Sequence, residues 1–216
     1  MQLDSLRLAG GQPLCAGAAV FQSGRAVLTV EEPEAGQSAW SIRGVGGGAE
    51  PGEGPVETAR REAAEEIGTR LEFVAPHGTL WWEDKATNPA TVRDTAVPPA
   101  LVVGRVRRPS PEPWAPGLPP GSHLYLINYL ARARDCVAPG GEQSAVLLVP
   151  PKVLPRLRPA GEWSVEVLAL WGVEILWKEG HRAACPNLRL PAWEELVPCL
   201  ADALRRGLVP DPLLAG

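Results

Sequence analysis

Long apolar runs are missing from this chain. No stretch of 18 apolar residues occurs, and residues 1–11 carry no basic segment followed by an apolar one. A membrane-spanning helix and a secretory leader are therefore not expected, and the cytoplasm is the expected compartment. Cysteine is scarce and dispersed: Cys15, Cys136, Cys185 and Cys199 form neither a C-x-x-C pair nor a Cys/His metal spacing, which argues against a thiolate metal site and for reduced, mostly buried thiols. Positive charge is not in excess. A net charge of −4 gives no general attraction to a nucleic acid polymer or an acidic membrane surface, so an anionic substrate must be met by local cations or bound metal. Tyrosine and phenylalanine number only two each, against eight tryptophans. Tryptophan must then supply the large flat surfaces, for core packing or for stacking on a base.

What is present is a soluble composition, 45% hydrophobic and 21% charged, in 216 residues, enough for one well-buried core with an extension. Residues 16–21 and 26–30, joined by Gln22-Ser23-Gly24-Arg25, predict a hairpin. Further strands are predicted at 40–42, 72–75, 100–106, 124–131 and 145–149, and a second helix opens near 151–157. Between them, 108–121 holds too much proline for a helix or an inner strand. It reads as a stiff loop. From 161 onward the pattern predicts helix: Val165, Leu168 and Trp171 share one face, as do Trp193, Leu196, Leu200 and Leu204, with a break expected at Pro198.

The chemistry is concentrated in residues 47–69. Gly54 stands at a helix cap, Pro55 at the first helical position, Glu57 near the positive end of the dipole and Gly68 just past the end, which predicts a helix over 55–67. Residues three and four apart share a face, so Glu62, Glu65 and Glu66 converge while Val56, Ala59, Ala63 and Ile67 pack. Carboxylates crowded together repel by roughly 4 kcal/mol per pair at ~4 Å and an effective dielectric of 20. Mg²⁺ or Mn²⁺, which take hard oxygen ligands, would turn that repulsion into coordination. Arg61 is free to pair with Glu57 or Glu65. The glycines at 44, 46, 47, 48 and 52 let the backbone approach a ligand closely, which makes Gly46, Gly47 and Gly48 candidate substrate contacts, while Glu50 and Glu53 enter from the loop.

Gly47, Glu53, Arg61, Glu62, Glu65, Glu66 and Gly68 stand at the spacing G-x5-E-x7-R-E-x-x-E-E-x-G, for which a chance match at a given start is on the order of one in 10^8. This pattern resembles the signature of the Nudix hydrolases. Trp40, Glu50-Pro51-Gly52-Glu53, and Glu142 ahead of the apolar run 145–149 extend the resemblance over roughly 12–160. It implies an α/β fold, an α/β/α sandwich with a mixed sheet, in which 12–160 forms the hydrolase domain. Residues 161–216 would be a helical extension, packed on the core or at a homodimer contact. It also implies metal-dependent cleavage of a pyrophosphate bond in a small nucleotide-derived diphosphate. Glu62, Glu65 and Glu66 would be metal ligands, Glu142 an added ligand from a loop, Glu62 also a base, and Arg61 and Glu53 catalytic partners. The box departs from the pattern at Thr69 and Ala63, both packing positions, and at Val45 before the paired glycines. The competing expectation is a nucleotide-sensing module without catalysis. A DNA-binding version is disfavoured, since 161–216 hold five Lys/Arg against eight Asp/Glu, a net of −3. A diphosphate isomerase lacks a suitably placed cysteine.

Overall fold

The strand β2 (Leu14–Gln22) sets the architecture. Ala16, Ala18 and Val20 bury into one apolar cluster while Ala19 and Phe21 bury into another, so alternate side chains feed two cores on opposite faces of one sheet. The computed structural model describes residues 1–33, 38–84, 88–107, 118, 120–181 and 187–215. The predicted hairpin is present: β2 turns into β3 (Arg25–Glu31) with Gln22 opposite Arg25, and both turn residues have positive φ, Ser23 at 48° and Gly24 at 72°. Such two-residue turns match the right-handed twist of paired strands.

On one side β2 runs parallel to β10 (His123–Ala133). On the other it splits. Its last residues pair with β3, and its first half pairs antiparallel with β5 (Val45–Gly48), with Cys15 opposite Gly48 and Ala18 opposite Val45. β3 continues to β4 (Trp40–Arg43) and, along its other edge, to β11 (Ala145–Val149). Beyond β10 the sheet proceeds through β9 (Val102–Arg107), β7 (Thr79–Glu83), β8 (Ala90–Asp94) and β1 (Gln2–Leu3), while β6 (Leu71–Phe73) covers the end of β10. Parallel and antiparallel pairs coexist, as a mixed sheet requires. Helices α1 (Ser5–Ala9) and α2 (Pro55–Ile67) pack with one core. The 3₁₀ segment Pro151–Arg156 packs with the other.

The C-terminal segment corrects the expectation of a purely helical extension. It contributes three strands: β12 (Glu162–Ser164), β13 (Glu174–Trp177), which pairs with β11, and β14 (Asn187–Arg189), which lies between β4 and β12. Short helices α3 (Val165–Leu170), α4 (Leu196–Arg205) and α5 (Asp211–Leu214) fill in around them. Helical spacing could not reveal strands of three or four residues whose pairing partners lie more than 100 positions earlier in one case, Trp40 against Leu188. Pro198 does not break α4 either. It is the third residue of the helix, where no intrahelical acceptor awaits its N–H. Leu168, Leu196, Val197, Leu200 and Ala203 enter the same core as Phe21, Leu28, Trp82 and Leu147, so these residues are sealed against the main sheet. Among the described residues no helix is long and apolar enough to cross a membrane.

Candidate active site

The predicted helix α2 occupies Pro55–Ile67, capped by Gly54 and ended by Gly68 in the left-handed conformation (φ 64°). Its buried face, Thr58, Ala59, Ala63 and Ile67, anchors it to the sheet; burying a side chain the size of Ile67 stabilises by about 1.5–3 kcal/mol. Thr69, a departure from the aliphatic pattern, loosens nothing. Its buried hydroxyl meets the carbonyl of Asp135 at 3.2 Å and accepts from the Asp135 amide at 3.0 Å.

Two glycines in β5 admit the acids of α2. Gly46 has φ of 148°, and a Cβ there would lie 2.6 Å from the Gly17 backbone. A Cβ on Gly47 would lie 2.4 Å from Glu62 Oε1. Two of the candidate substrate glycines, Gly46 and Gly48, also hold the side chains of α2 through their backbone groups. The Gly46 amide donates to Glu66 Oε2 at 2.9 Å, and the Gly48 carbonyl accepts from Arg61 at 2.8 Å.

Arg61 is the hub. Its Nε donates to Glu53 Oε1 at 2.9 Å, Nη1 to Glu62 Oε1 at 2.8 Å and to Glu65 Oε2 at 2.9 Å, and Nη2 to the Gly48 carbonyl and to Glu53 Oε2 at 3.1 Å. All five N–H groups of a guanidinium are thereby used. The sequence suggested a pair with Glu57 or Glu65; Glu65 is a partner, Glu57 is not among those observed, and Glu53 and Glu62 are added. Acid repulsion is thus offset by an internal cation. The hydrogen bond from Arg61 drops the Glu53 carboxyl to about 2. Glu62 is raised instead, because partial burial outweighs its contact with Arg61.

Glu66 is drawn the other way. Besides the Gly46 amide it accepts from Gln143 Nε2 at 3.0 Å, and Gln143 also reaches Glu31 at 3.4 Å, which pairs with Arg43 at 2.8 Å. Burial pushes the Glu66 carboxyl up to about 8. The loop bearing Gln143 is tied to the end of α2, since Gly140 N–H donates to the Glu66 carbonyl at 2.9 Å. Glu142 is exposed on this loop, and its buried neighbour Gln143 is the residue that hydrogen-bonds the box acid Glu66. The signal was one position away, on the inward side of the turn leading into β11.

The donors are chemically suited to a hard divalent cation, being carboxylate and carbonyl oxygens throughout. Among the described residues, however, no three acid, histidine or cysteine side chains are gathered closely enough to hold an ion. Arg61 engages Glu53, Glu62 and Glu65, and Glu66 turns toward Gly46.

Beside this cluster, on the other side of β5, lies a cavity of about 490 Å³ lined by residues of β2, β5, β9 and β10 and by Trp193 to Leu196. Sequence reasoning placed Trp193 on a helical stripe. It precedes α4 and is 51% exposed, with the Arg43 guanidinium 4.6 Å from its ring centroid. Glu194 is buried and accepts from the amides of Gly44 at 3.3 Å, Leu196 at 2.7 Å and Val197 at 3.3 Å, which fixes the segment before α4 against the entry to β5. Burial raises its carboxyl. No sequence motif marks Glu194 or Trp193 as belonging here.

Other charged, aromatic and thiol side chains fall elsewhere. Arg105 pairs with Glu83 and lies over Trp81, which is half-buried against one core, while Trp82 is buried in the other, so the Trp81-Trp82 pair divides between the two faces of the sheet as alternation requires. His123 meets Ser122, and His181 meets Glu32. Cys15, Cys136 and Cys199 are free, and burial pushes the Cys15 thiol up to about 11 and Cys199 to about 12. Cys185, Arg108, Trp114 and most of the proline-rich loop 108–121 lie outside the described residues.

Residues 11–113 match the family model described as the NUDIX domain. No curated protein is significantly similar in sequence. Among solved structures, the chain resembles a MutT protein from Methanosarcina mazei at 12% identity and TM-score 0.48, over 91% of this chain and 96% of that one. It also resembles an ADP-ribose pyrophosphatase from Streptococcus suis at 17% identity and TM-score 0.38, over 65% and 75%. A NUDIX hydrolase from Nitrosomonas europaea matches at 15% identity and TM-score 0.35, over 58% of this chain; the match spans 61% of that protein's own length.

Proposed function

We propose that the protein, whose residues 11–113 match the NUDIX domain model, hydrolyses a pyrophosphate bond in a small nucleotide-derived diphosphate, using Mg²⁺ or Mn²⁺. The observation that carries the reading is the Arg61 hub, which gathers Glu53, Glu62, Glu65 and the glycine strand around one guanidinium. Glu62, Glu65 and Glu66 would hold the ion. When bound, it lowers the pKa of water and offsets charge on phosphoryl oxygens.

The chain's own residues then divide the work. Glu53 and Arg61 are positioning residues: the first clamps the second with two hydrogen bonds, and Arg61 aims Glu62 and Glu65. Glu62 is the proposed general base, since its raised carboxyl lies nearer working pH than an ordinary glutamate and stands against the bare backbone of Gly47. Gln143 and the Gly46 amide keep Glu66 turned toward β5.

The test is a substrate screen with purified protein and Mg²⁺ or Mn²⁺ against nucleotide sugars, dinucleotides, deoxynucleoside triphosphates and diphosphate-linked cofactors. It is paired with Glu65→Gln and Glu66→Gln. Each substitution is expected to weaken calorimetric metal binding and to lower turnover at least ~100-fold, with circular dichroism unchanged. Wild-type turnover in both variants would overturn the metal assignment. Tight nucleotide binding with no turnover of any substrate would replace hydrolysis by sensing.

A further inference from the structure

Strand β13 leaves the sheet open along one side. It pairs with β11 alone, and among the described residues no strand lies against its outer edge. The Lys178 amide donates to the Ser144 carbonyl at 2.9 Å, so with Ala145 opposite Trp177 the backbone groups of Lys178, Leu176 and Glu174 face β11. Those of Ile175 and Trp177 then face outward, because the hydrogen-bonding direction alternates along a strand. Gly172 and Gly180, with φ of 84° and 83°, turn the chain at both ends and confine the open edge to the residues between them. Ile175 and Trp177 lean on one core and Leu176 on the other, all three half-buried, while Glu174 and Lys178 are exposed. An edge of this kind is a template for another strand, and natural proteins blunt it with proline, a bulge or a lysine. Proline is absent from 174–178 and the register against β11 is regular, which leaves Lys178 as the residue that decides what the edge accepts.

Glu174-Ile175-Leu176-Trp177-Lys178 is complementary to itself. Laid antiparallel on a second copy with Leu176 opposite Leu176, it brings Ile175 opposite Trp177, and their outward N–H and C=O groups form hydrogen-bonded pairs on both sides of a two-fold axis. Leu176, Glu174 and Lys178 fall at the non-hydrogen-bonded positions, where facing side chains come closest. Glu174 of each copy then meets Lys178 of the other, and opposite charges directly across a strand pair stabilise it where like charges oppose it. Lys178 Nζ donates to the Gly141 carbonyl at 2.8 Å and keeps two further donors for such an acid. We propose that β13 is a homodimer contact, in which two copies of the chain pair edge to edge through residues 174–178 and join their sheets across a two-fold axis. An extended strand of another protein would also satisfy the outward backbone groups, but a second copy is the occupant that this sequence matches in charge at both ends. The contact is small for a protein interface, so the dimer depends on concentration. It uses no residue of the acidic cluster and is independent of the hydrolase reading.

The experiment is sedimentation velocity of the full chain over a concentration series reaching about 1 mM, with hydrogen exchange of the β13 amides read in the same series. Wild-type protein is expected to pass from monomer to dimer as concentration rises. The amides of Ile175 and Trp177 should slow in step, while those of Glu174 and Leu176, already directed at β11, stay slow throughout. Lys178→Glu sets a carboxylate against Glu174 twice per dimer and should weaken association at least ~10-fold. Glu174→Lys should do the same, and the double reversal Glu174→Lys/Lys178→Glu should bring the dimer back to within ~3-fold of wild type. Both side chains are exposed, so the thermal midpoints of the dilute variants should match that of wild type. A wild-type chain that stays monomeric at about 1 mM overturns the proposal and leaves the edge to a strand of another protein. A dimer unchanged or strengthened by either single reversal overturns it too, as does a double reversal that stays monomeric. Dimer formation that leaves the Ile175 and Trp177 amides exchanging as fast as in the monomer would place the contact on another surface and overturn it equally.

Discussion

Arg61→Ala is the substitution that most directly tests the account of the acidic cluster. The guanidinium is 20% exposed, and it faces Glu53 and Glu62, whose side chains are 19% and 12% exposed. Removing it takes away five donated hydrogen bonds and leaves three carboxylates and the Gly48 carbonyl without their common partner. Hydrogen bonds to charged groups contribute about 1.5–3 kcal/mol each. They share one side chain and are not additive, water reaches Glu65, and Glu62 can take up a proton. A net loss of about 2–4 kcal/mol is therefore expected at neutral pH in chelator, a fall of roughly 5–12 °C in Tm for a chain of this length. The loss should shrink as pH drops, because the raised Glu62 carboxyl then protonates and relieves the repulsion. Saturating Mn²⁺ should recover more stability in the variant than in wild type, by supplying the missing positive charge. Differential scanning fluorimetry at pH 5.5 and 8, with and without Mn²⁺, provides the readings. A variant that melts within about 1 °C of wild type in chelator, or one that is hurt more at pH 5.5 than at pH 8, would refute the reasoning.

Other expectations follow from the same coordinates. Glu66 holds a proton more tightly folded than unfolded, its carboxyl moving from 4.5 to about 8; the stability this confers is present below 4.5 and is lost as pH rises through about 8. In chelator, Glu66→Gln should thus gain in Tm relative to wild type between pH 5 and 9, and a pH-independent difference would contradict the buried setting of Glu66. Glu53 has the opposite sign: lowered to about 2, it contributes stability above 4.5 that is lost as pH falls toward 2, so Glu53→Gln should flatten the acid limb of the melting profile. Gly47→Ala places a methyl 2.4 Å from Glu62 Oε1, and kcat should fall at least ~10-fold with a Tm change of only a few degrees, because the flexible carboxylate can yield while its aim is lost. Truncation after Ala160 removes β14 from β4 and β13 from β11 and uncovers Leu147, Leu154 and Trp82; aggregated or strongly destabilised protein is expected, and a soluble truncate with an unchanged melting profile would count against the shared core.

Local rules were legible where their causes are local. The bounds of α2 follow from Gly54, Pro55 and Gly68, the β2–β3 turn from Ser23-Gly24, and β11 from five consecutive apolar residues. The Gly47-to-Gly68 spacing likewise placed Glu53, Arg61, Glu62, Glu65 and Glu66 around one loop and helix, because helical periodicity leaves few alternatives over so short a distance. Spacing could not say how the acids are shared. That Arg61 binds Glu53, Glu62 and Glu65 while Glu66 turns to Gly46 and Gln143 depends on where β5 runs, and β5 is fixed by its pairing with β2.

The sequence by itself determined the mixed α/β class, the helix over 55–67 and the acids that line it, since each rests on periodicity, capping and spacing within some twenty residues. Only the tertiary structure decided that Gln143 rather than Glu142 meets the box, that residues 162–189 add strands to the main sheet, and that Trp193 and Glu194 border the cavity beside β5. The physical reason is the same in each case. The Glu66–Gln143, Trp40–Leu188 and Gly44–Glu194 contacts join residues 77 to 150 positions apart, and the energies of all these contacts arise from burial and pairing that exist only once the sheet has closed around both cores.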